Sequence, residues 1–153
     1  MRKNPARLSI LLGGACLLAG CASGPQTQAL APAGFDRVTV EGELRQRIER
    51  NFDRLETDYY QPDQVYWTEE QSGGWPGDKE GRTILALVLD ARASGRTPLY
   101  LDELIRRLPG ELNAKGYLGS IREGSADEQQ LSGHGWLLRG LCEYYAWKKD
   151  CLL

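Results

Sequence analysis

One stretch decides the fold: DKEGRTILALVLDARASG, residues 78–95. Wound as a helix, it places apolar side chains around much of its circumference: Ile84, Leu85, Leu87, Val88, Leu89 and Ala91. A helix of this kind needs neighbours on several sides. Asp78 is the candidate N-cap, because its carboxylate can accept backbone N–H bonds, and Ser94-Gly95 predicts the end. The stretch therefore predicts a buried helix.

The segment before this helix, residues 41–60, has the clearest helical period in the chain. Its apolar residues recur at steps of 4, 4, 3 and 4: Leu44, Ile48, Phe52, Leu55 and Tyr59. Charged residues fill the other side, and Pro62 lies just beyond the end. The spacing predicts one amphipathic helix with Leu44 and Tyr59 on its inner face.

A third helix is predicted directly after the helix of residues 78–95. Thr97-Pro98 has proline at the first helical position, where its missing N–H costs nothing. Four apolar positions then define one face: Leu101, Leu104, Ile105 and Leu108. Pro109-Gly110 predicts a break or a kink.

The last predicted helix spans about residues 130–149. Its predicted inner face consists of Leu131, Leu138, Leu141, Cys142 and Tyr145. Three glycines, Gly133, Gly135 and Gly140, each lower helix stability by about 1 kcal/mol relative to alanine. They are tolerated where the backbone approaches a neighbour or a ligand closely.

Segments without helical period, residues 61–79 and 115–127, separate these helices, and no run alternates as a strand does. The sequence therefore predicts an all-α fold of antiparallel helix pairs.

Composition narrows the class of protein. The chain has 153 residues, 19 basic against 21 acidic, and 26% charged residues, which is too many for a multi-span membrane protein. The charges are mixed, so nucleic acid is not expected as a partner. One histidine and four cysteines leave few metal ligands, and we expect no cofactor in this chain.

Residues 1–20 predict a bacterial lipoprotein signal peptide. A basic start precedes an uncharged apolar run of about 13 residues, which is too short to span a bilayer. The run ends in Leu18-Ala19-Gly20-Cys21, which resembles a lipobox, so Cys21 is the predicted lipidation site and mature N-terminus. An ordinary signal peptide that contains a cysteine is the alternative.

By resemblance to Gram-negative lipoproteins, Ala22 after the cysteine favours the outer membrane of the cell envelope, on its periplasmic or surface face. Residues 21–37 are small and polar over most of their length and predict a flexible tether, followed by a folded domain over residues 38–153. Cys142 and Cys151 lie nine residues apart at or near one helix, about 13 Å along its axis, too far for a disulfide. Cys142 is therefore predicted to be a small buried hydrophobe.

Some residues near the glycine-rich segments suit sugar binding. His134, the only histidine, lies between Gly133 and Gly135, which leaves its ring accessible; a capping or core histidine is the alternative. Trp75 lies close to Asp78, and aromatic platforms beside carboxylates suit the apolar faces and hydroxyls of sugars. The alternative for Asp78 is the N-cap.

The start of the last helix offers further polar groups. Gln130 ends the run Asp127-Glu128-Gln129-Gln130, which could bond sugar hydroxyls, or could simply form an acidic first turn that the helix dipole favours. Trp136 lies in the same helix. No catalytic pair of carboxyl groups and no metal motif is identified.

Two segments together resemble the N-terminal helices of glycoside hydrolase family 127, the β-L-arabinofuranosidase-like enzymes: GWPGDKEGRTILAL (residues 74–87) and DEQQLSGHGWLLRGL (residues 127–141). The segment LNAKGYLG (residues 112–119) between them fits too. The resemblance implies an (α/α)6 toroid of about twelve helices, of which this chain supplies about four, with the sugar at the centre. It also implies that His134 contacts the sugar.

The family's nucleophile is a zinc-bound cysteine, which has no counterpart here, so the resemblance implies a truncated, inactive form of a zinc-dependent hydrolase. The first hypothesis is a lipid-anchored carbohydrate-active protein that binds an oligosaccharide or polysaccharide. Its predicted substrate-binding residues are His134, Trp75, Asp78, Gln130 and Trp136. The alternative is a small non-enzymatic helical envelope lipoprotein that binds a protein or glycan partner and covers an open apolar face by self-association.

Overall fold

A computed structural model describes residues 33–66, 73–124 and 126–149. These residues form helices and loops, with no β-strand among them, which confirms the all-α fold. The α-helices are α1 Gly42–Leu55, α2 Pro62–Val65, α3 Asp78–Ser94, α4 Leu101–Glu111 and α5 Glu128–Lys148. Short 3₁₀ helices lie at Phe35–Arg37 and Asp58–Tyr60. Over this part of the chain, no helix is both long enough and apolar enough to cross a bilayer.

The predicted signal peptide, Cys21, Cys151 and most of the predicted tether lie outside the described residues. The end of the tether is described, and it contacts the helices. The Arg92 guanidinium of α3 lies 4.4 Å from the centre of the Phe35 ring.

The central helix α3 ends at Ser94 as the sequence predicts, begins at Asp78 rather than after it, and has nine of its 17 residues buried. Helix α1 packs antiparallel against it, as two hydrogen bonds show. The Asn51 amide donates to the Asp90 carboxylate, and Arg45 Nη2 donates to the Ser94 carbonyl at 3.1 Å. Burial raises the pKa of the Asp90 carboxyl, and the Asn51 hydrogen bond opposes that shift.

Helices α3 and α5 form the most extensive helix pair of the fold, and their backbones are in contact. A Cβ built on Gly81 would lie 2.2 Å from the Leu137 nitrogen, and one on Gly133 would lie 2.3 Å from the Pro76 oxygen. A Cβ on Gly140 would lie 2.7 Å from the Gly81 oxygen. Because the contact points advance along both helices together, α3 and α5 run parallel.

The predicted inner face of the last helix is wrong except for Leu141, which is half-buried and packs against the core. The buried residues of α5 are Gly133, Leu137, Gly140 and Tyr144, which face α3. Leu131, Leu138 and Tyr145 are exposed, and so is Cys142, which was predicted to be buried. The reason is that glycines allow α3 and α5 to approach, so the contact face of α5 contains few large apolar residues.

Two predicted helix boundaries are also corrected. Helix α1 ends at Leu55, and Tyr59 lies in the following 3₁₀ helix with its side chain exposed; Leu44 is exposed as well. Helix α4 starts at Leu101 rather than at Pro98, and it continues through Pro109 to Glu111. Pro109 removes one N–H donor only, two residues before the helix ends.

The short helix α2 is held against α4 by Tyr66, which directly follows it. The Tyr66 hydroxyl donates to the Leu104 carbonyl at 2.5 Å. Burial raises the pKa of this phenol above its ordinary value.

Candidate functional site

A cleft of about 370 Å³ lies between the end of α1 and the first turns of α3. We call it the tyrosine cleft. It is lined by Arg54, Leu55, Tyr59, Tyr60, Asp78, Lys79, Arg82, Thr83 and Ala86. Its walls combine two aromatic rings, three cationic side chains and one carboxylate, which are groups that bind polar ligands with apolar faces.

The aromatic wall is formed because α1 ends at Leu55 and the chain turns into the 3₁₀ helix Asp58–Tyr60. The rings of Tyr59 and Tyr60 meet edge to face, with their centres 4.9 Å apart. Arg54 Nη1 donates to the Tyr60 hydroxyl at 3.2 Å and so fixes the inner ring. The outer ring, Tyr59, is 55% exposed, so the part of the ring that Lys79 does not cover is available to a ligand.

Lys79 links the aromatic wall to α3. Its ammonium lies 4.0 Å from the centre of the Tyr59 ring and donates to the Gln64 carbonyl at 2.6 Å. Partial burial lowers the pKa of this ammonium, and the nearby Glu80 carboxylate opposes the shift. A cation held over the ring in this way also orients the ring.

The first turn of α3 places Asp78 in the cleft, and the prediction that Asp78 caps this helix is wrong. The N-cap is Gly77, whose positive φ of 93° favours glycine, and its N–H donates to the buried Glu80 carboxylate at 2.9 Å. Asp78 is the first helical residue, and its Oδ1 accepts from Arg82 Nε at 2.9 Å. The Asp78 carboxylate therefore lines the cleft instead of closing the helix.

Arg82 connects the cleft to α5. Its guanidinium lies 4.5 Å from the centre of the Trp136 ring, and the Arg139 guanidinium lies 5.6 Å from the same ring. Of the residues predicted to bind substrate, the structure thus brings Asp78 and Trp136 together through Arg82. Trp75 lies in the turn before α3, where its carbonyl accepts from the Asp78 N–H at 3.1 Å, and its side chain is exposed.

The structure places His134 and Gln130 in a different concavity, the loop groove, of about 440 Å³. It is lined by Tyr117, Arg122, Gly124, Ala126, Asp127, Gln130, Leu131 and His134. His134 and Trp136 lie two residues apart on α5, about 160° around the helix axis, and flank its α3-facing stripe on opposite sides. One ligand on one side of α5 would therefore not meet both.

Both ring nitrogens of His134 are bonded to backbone groups. Nδ1 lies 2.6 Å from the Gln130 carbonyl oxygen, so Nδ1 carries the proton, and Nε2 accepts from the Leu118 N–H at 3.0 Å. The Gln130 amide nitrogen donates to the carbonyls of Leu118 and Ser120. This geometry supports the alternative of a structural histidine, which fixes the loop before α5 onto the helix.

The remaining polar groups of the loop groove are engaged as well. The Asp127 carboxylate caps α5 by accepting from the N–H groups of Gln129 and Gln130, and it lies 3.6 Å from Arg122 Nε. The Tyr117 hydroxyl accepts from the Arg122 N–H at 3.2 Å. The polar groups of both concavities are engaged within the chain, and the tyrosine cleft is the better candidate site because it also presents the exposed Tyr59 ring.

Sequence reasoning missed five groups of the tyrosine cleft: Arg54, Tyr59, Tyr60, Lys79 and Arg82. The sequence predicts Tyr59 on the inner face of the helix because it continues the period of residues 41–55. The spacing gives no signal that the helix ends at Leu55, because three polar residues between Leu55 and Tyr59 are what one helix face also requires.

Across the described residues, no three His, Cys, Asp or Glu side chains come together as a metal site. Comparisons with protein family models, with curated proteins and with solved structures find no match to this chain. The function therefore has to be inferred from the cleft and the residues around it.

Proposed function

We propose that this chain is a cell-envelope lipoprotein whose helical domain binds oligosaccharide in the tyrosine cleft without hydrolysing it. The observation that carries the proposal is the exposed Tyr59 ring beside the Asp78 carboxylate and the Arg82 guanidinium. Sugars present apolar C–H faces and many hydroxyls. A ring face, an acceptor and a fork of donors in one cleft match those groups.

The charges of the cleft favour an acidic sugar. Arg54, Lys79 and Arg82 contribute three positive charges, and Asp78 contributes one negative charge. A guanidinium fork binds a carboxylate in a bidentate manner, and the pairing strengthens as water is excluded. We therefore expect uronate-containing oligosaccharides to bind more tightly than neutral arabinose- or galactose-containing ones of equal length.

The proposed relation to glycoside hydrolase family 127 is supported by helix directions. In a ring of successive antiparallel helix hairpins, every second helix runs in the same direction. The parallel course of α3 and α5, with α4 between them in the chain, agrees with such an arrangement. The zinc-bound cysteine of that family has no counterpart here, so binding without turnover is the proposed activity.

The test is calorimetric titration of the full-length chain, purified in detergent, with matched neutral and uronate oligosaccharides. We expect uronate binding at least about fivefold tighter, a difference of roughly 1 kcal/mol, and weakening as salt screens the charges. No turnover of aryl-glycosides, including the β-L-arabinofuranoside, is expected. Absence of binding to every glycan would contradict the proposal, and turnover resistant to chelators and thiol blocking would show that the chain is an enzyme.

The alternative function, a helical lipoprotein that associates with a partner, is favoured by a separate observation. The outer face of α5 is apolar and exposed. That face does not line the tyrosine cleft, so the two functions are compatible.

A further inference from the structure

The outer face of α5 carries an apolar stripe: Leu131, Gly135, Leu138, Cys142 and Tyr145, which we call the α5 stripe. Leu131 is 67% exposed, Leu138 62% and Tyr145 51%, and Gly135 and Cys142 are exposed as well. A cluster of large exposed apolar side chains on one helix face marks an interaction surface.

The spacing of the α5 stripe is that of a coiled-coil seam. Its residues follow one another at steps of 4, 3, 4 and 3, which is a heptad pattern. The stripe lies on the side of α5 opposite to the buried residues Gly133, Leu137, Gly140 and Tyr144. Helix α5 therefore has two contact faces, one used by α3 and one suited to another helix.

The α5 stripe is complementary to a second copy of itself in the antiparallel direction. In that register Leu138 of one copy lies over Gly135 of the other, and Leu131 lies over Cys142. A Cβ built on Gly135 would find no atom within 4 Å, so this position offers the space that Leu138 needs. Large side chains opposite small ones give the interdigitation of packed helices.

The charges at the two ends of α5 also favour the antiparallel direction. The helix starts with Asp127 and Glu128 and ends with Lys148 and Lys149. An antiparallel pair brings the acidic start of each copy beside the basic end of the other. A parallel pair would place like charges together, which is unfavourable.

We infer that the chain forms a twofold symmetric dimer through the α5 stripe, with the two α5 helices antiparallel. The inference does not depend on the proposed sugar binding, because the tyrosine cleft and the α5 stripe share no residue. Both copies contribute the same surface, as a twofold interface requires.

The first test is the oligomeric state of the full-length chain in detergent, measured by light scattering coupled to size exclusion at about 0.1 mM protein. The expected result is a dimer that Leu138→Ser weakens by at least about tenfold. Leu138 is exposed in the single chain, so this substitution leaves the fold intact. The matched control is Leu99→Ser, an equally exposed leucine before α4, which should leave the dimer unchanged.

The second test fixes the direction by disulfide cross-linking. In the full-length chain with Cys16, Cys21 and Cys151 replaced by serine, Cys142 is the single thiol. Adding Leu131→Cys should give a covalent dimer under diamide, because position 131 then faces Cys142 of the other copy. Within one helix these positions are about 16 Å apart, too far for an internal bridge.

The parent with Cys142 alone should not cross-link efficiently. A monomer at all concentrations, or a dimer unaffected by Leu138→Ser, would overturn the inference. Efficient cross-linking of Cys142 alone, with no gain from Leu131→Cys, would show a parallel pair and would overturn it too.

Discussion

From the sequence alone, His134 fits either a sugar-binding role or a structural role. In the sequence, the flanking Gly133 and Gly135 indicate an accessible ring. In the structure, Gly133 packs against the turn before α3, while Gly135 is open. With Nδ1 on the Gln130 carbonyl and Nε2 on the Leu118 N–H, both nitrogens are bonded within the chain. A ligand hydroxyl would have to displace one of these bonds.

We therefore predict that His134→Ala destabilises the fold without weakening sugar binding. The change removes two hydrogen bonds and leaves the N–H of the buried residue Leu118 unpaired, so the free energy of unfolding should fall by about 2 kcal/mol. Chemical denaturation followed by circular dichroism measures the loss, with the exposed neighbour Ser132→Ala as control. Lost glycan affinity at unchanged stability would instead assign His134 to the binding site.

At the scale of elements, α3 could be predicted from sequence and the orientation of α5 could not. The apolar residues of α3 surround the helix, so its burial follows from composition. The buried face of α5 includes Gly133 and Gly140, which give no hydrophobic signal in the sequence. The apolar residues that recur with a helical period lie on the exposed α5 stripe. Period analysis therefore selected the wrong face, although the presence and approximate span of the helix were correct.

The residues of the candidate site, like the helices, could be predicted only in part. Asp78 was identified, because an acid beside Trp75 and a glycine-rich turn is visible in the sequence. Tyr59 was not identified, because it continues the helical period of α1. It therefore gives no indication that this helix ends at Leu55, four residues earlier. The cleft depends on that end at Leu55, which tertiary packing determines.

We predict opposite effects for two glycines of α5 that lie two residues apart. Gly133→Ala should lower the free energy of unfolding by about 3 kcal/mol or more, because the Cβ would meet the Pro76 oxygen at 2.3 Å. Gly135→Ala should raise it by up to about 1 kcal/mol, since the position is open and alanine favours helix.

Urea denaturation at a protein concentration where the chain is monomeric measures both values. Equal effects of the two substitutions would contradict the close approach of Gly133 to the turn before α3 and the outward orientation of the α5 stripe.

At the scale of the whole molecule, the tyrosine cleft and the α5 stripe are two separate surfaces with separate proposed roles. Helix α3 supplies Asp78, Lys79 and Arg82 to the tyrosine cleft on one side and receives the glycine face of α5 on another. The α5 stripe points away from both. A dimer through the stripe would present two clefts, and a second bound site raises the effective affinity for a polymeric glycan.

The proposed sugar binding depends most directly on the exposed ring of Tyr59, so its removal is the decisive measurement. Titration of the full-length chain with a uronate oligosaccharide should give a Kd about tenfold higher for Tyr59→Ala, which corresponds to roughly 1.4 kcal/mol. Tyr145→Ala, a similarly exposed tyrosine on the α5 stripe, should bind the sugar as the unchanged chain does. A Tyr59→Ala chain that keeps full affinity, or equal losses in both variants, would contradict the assignment of the tyrosine cleft.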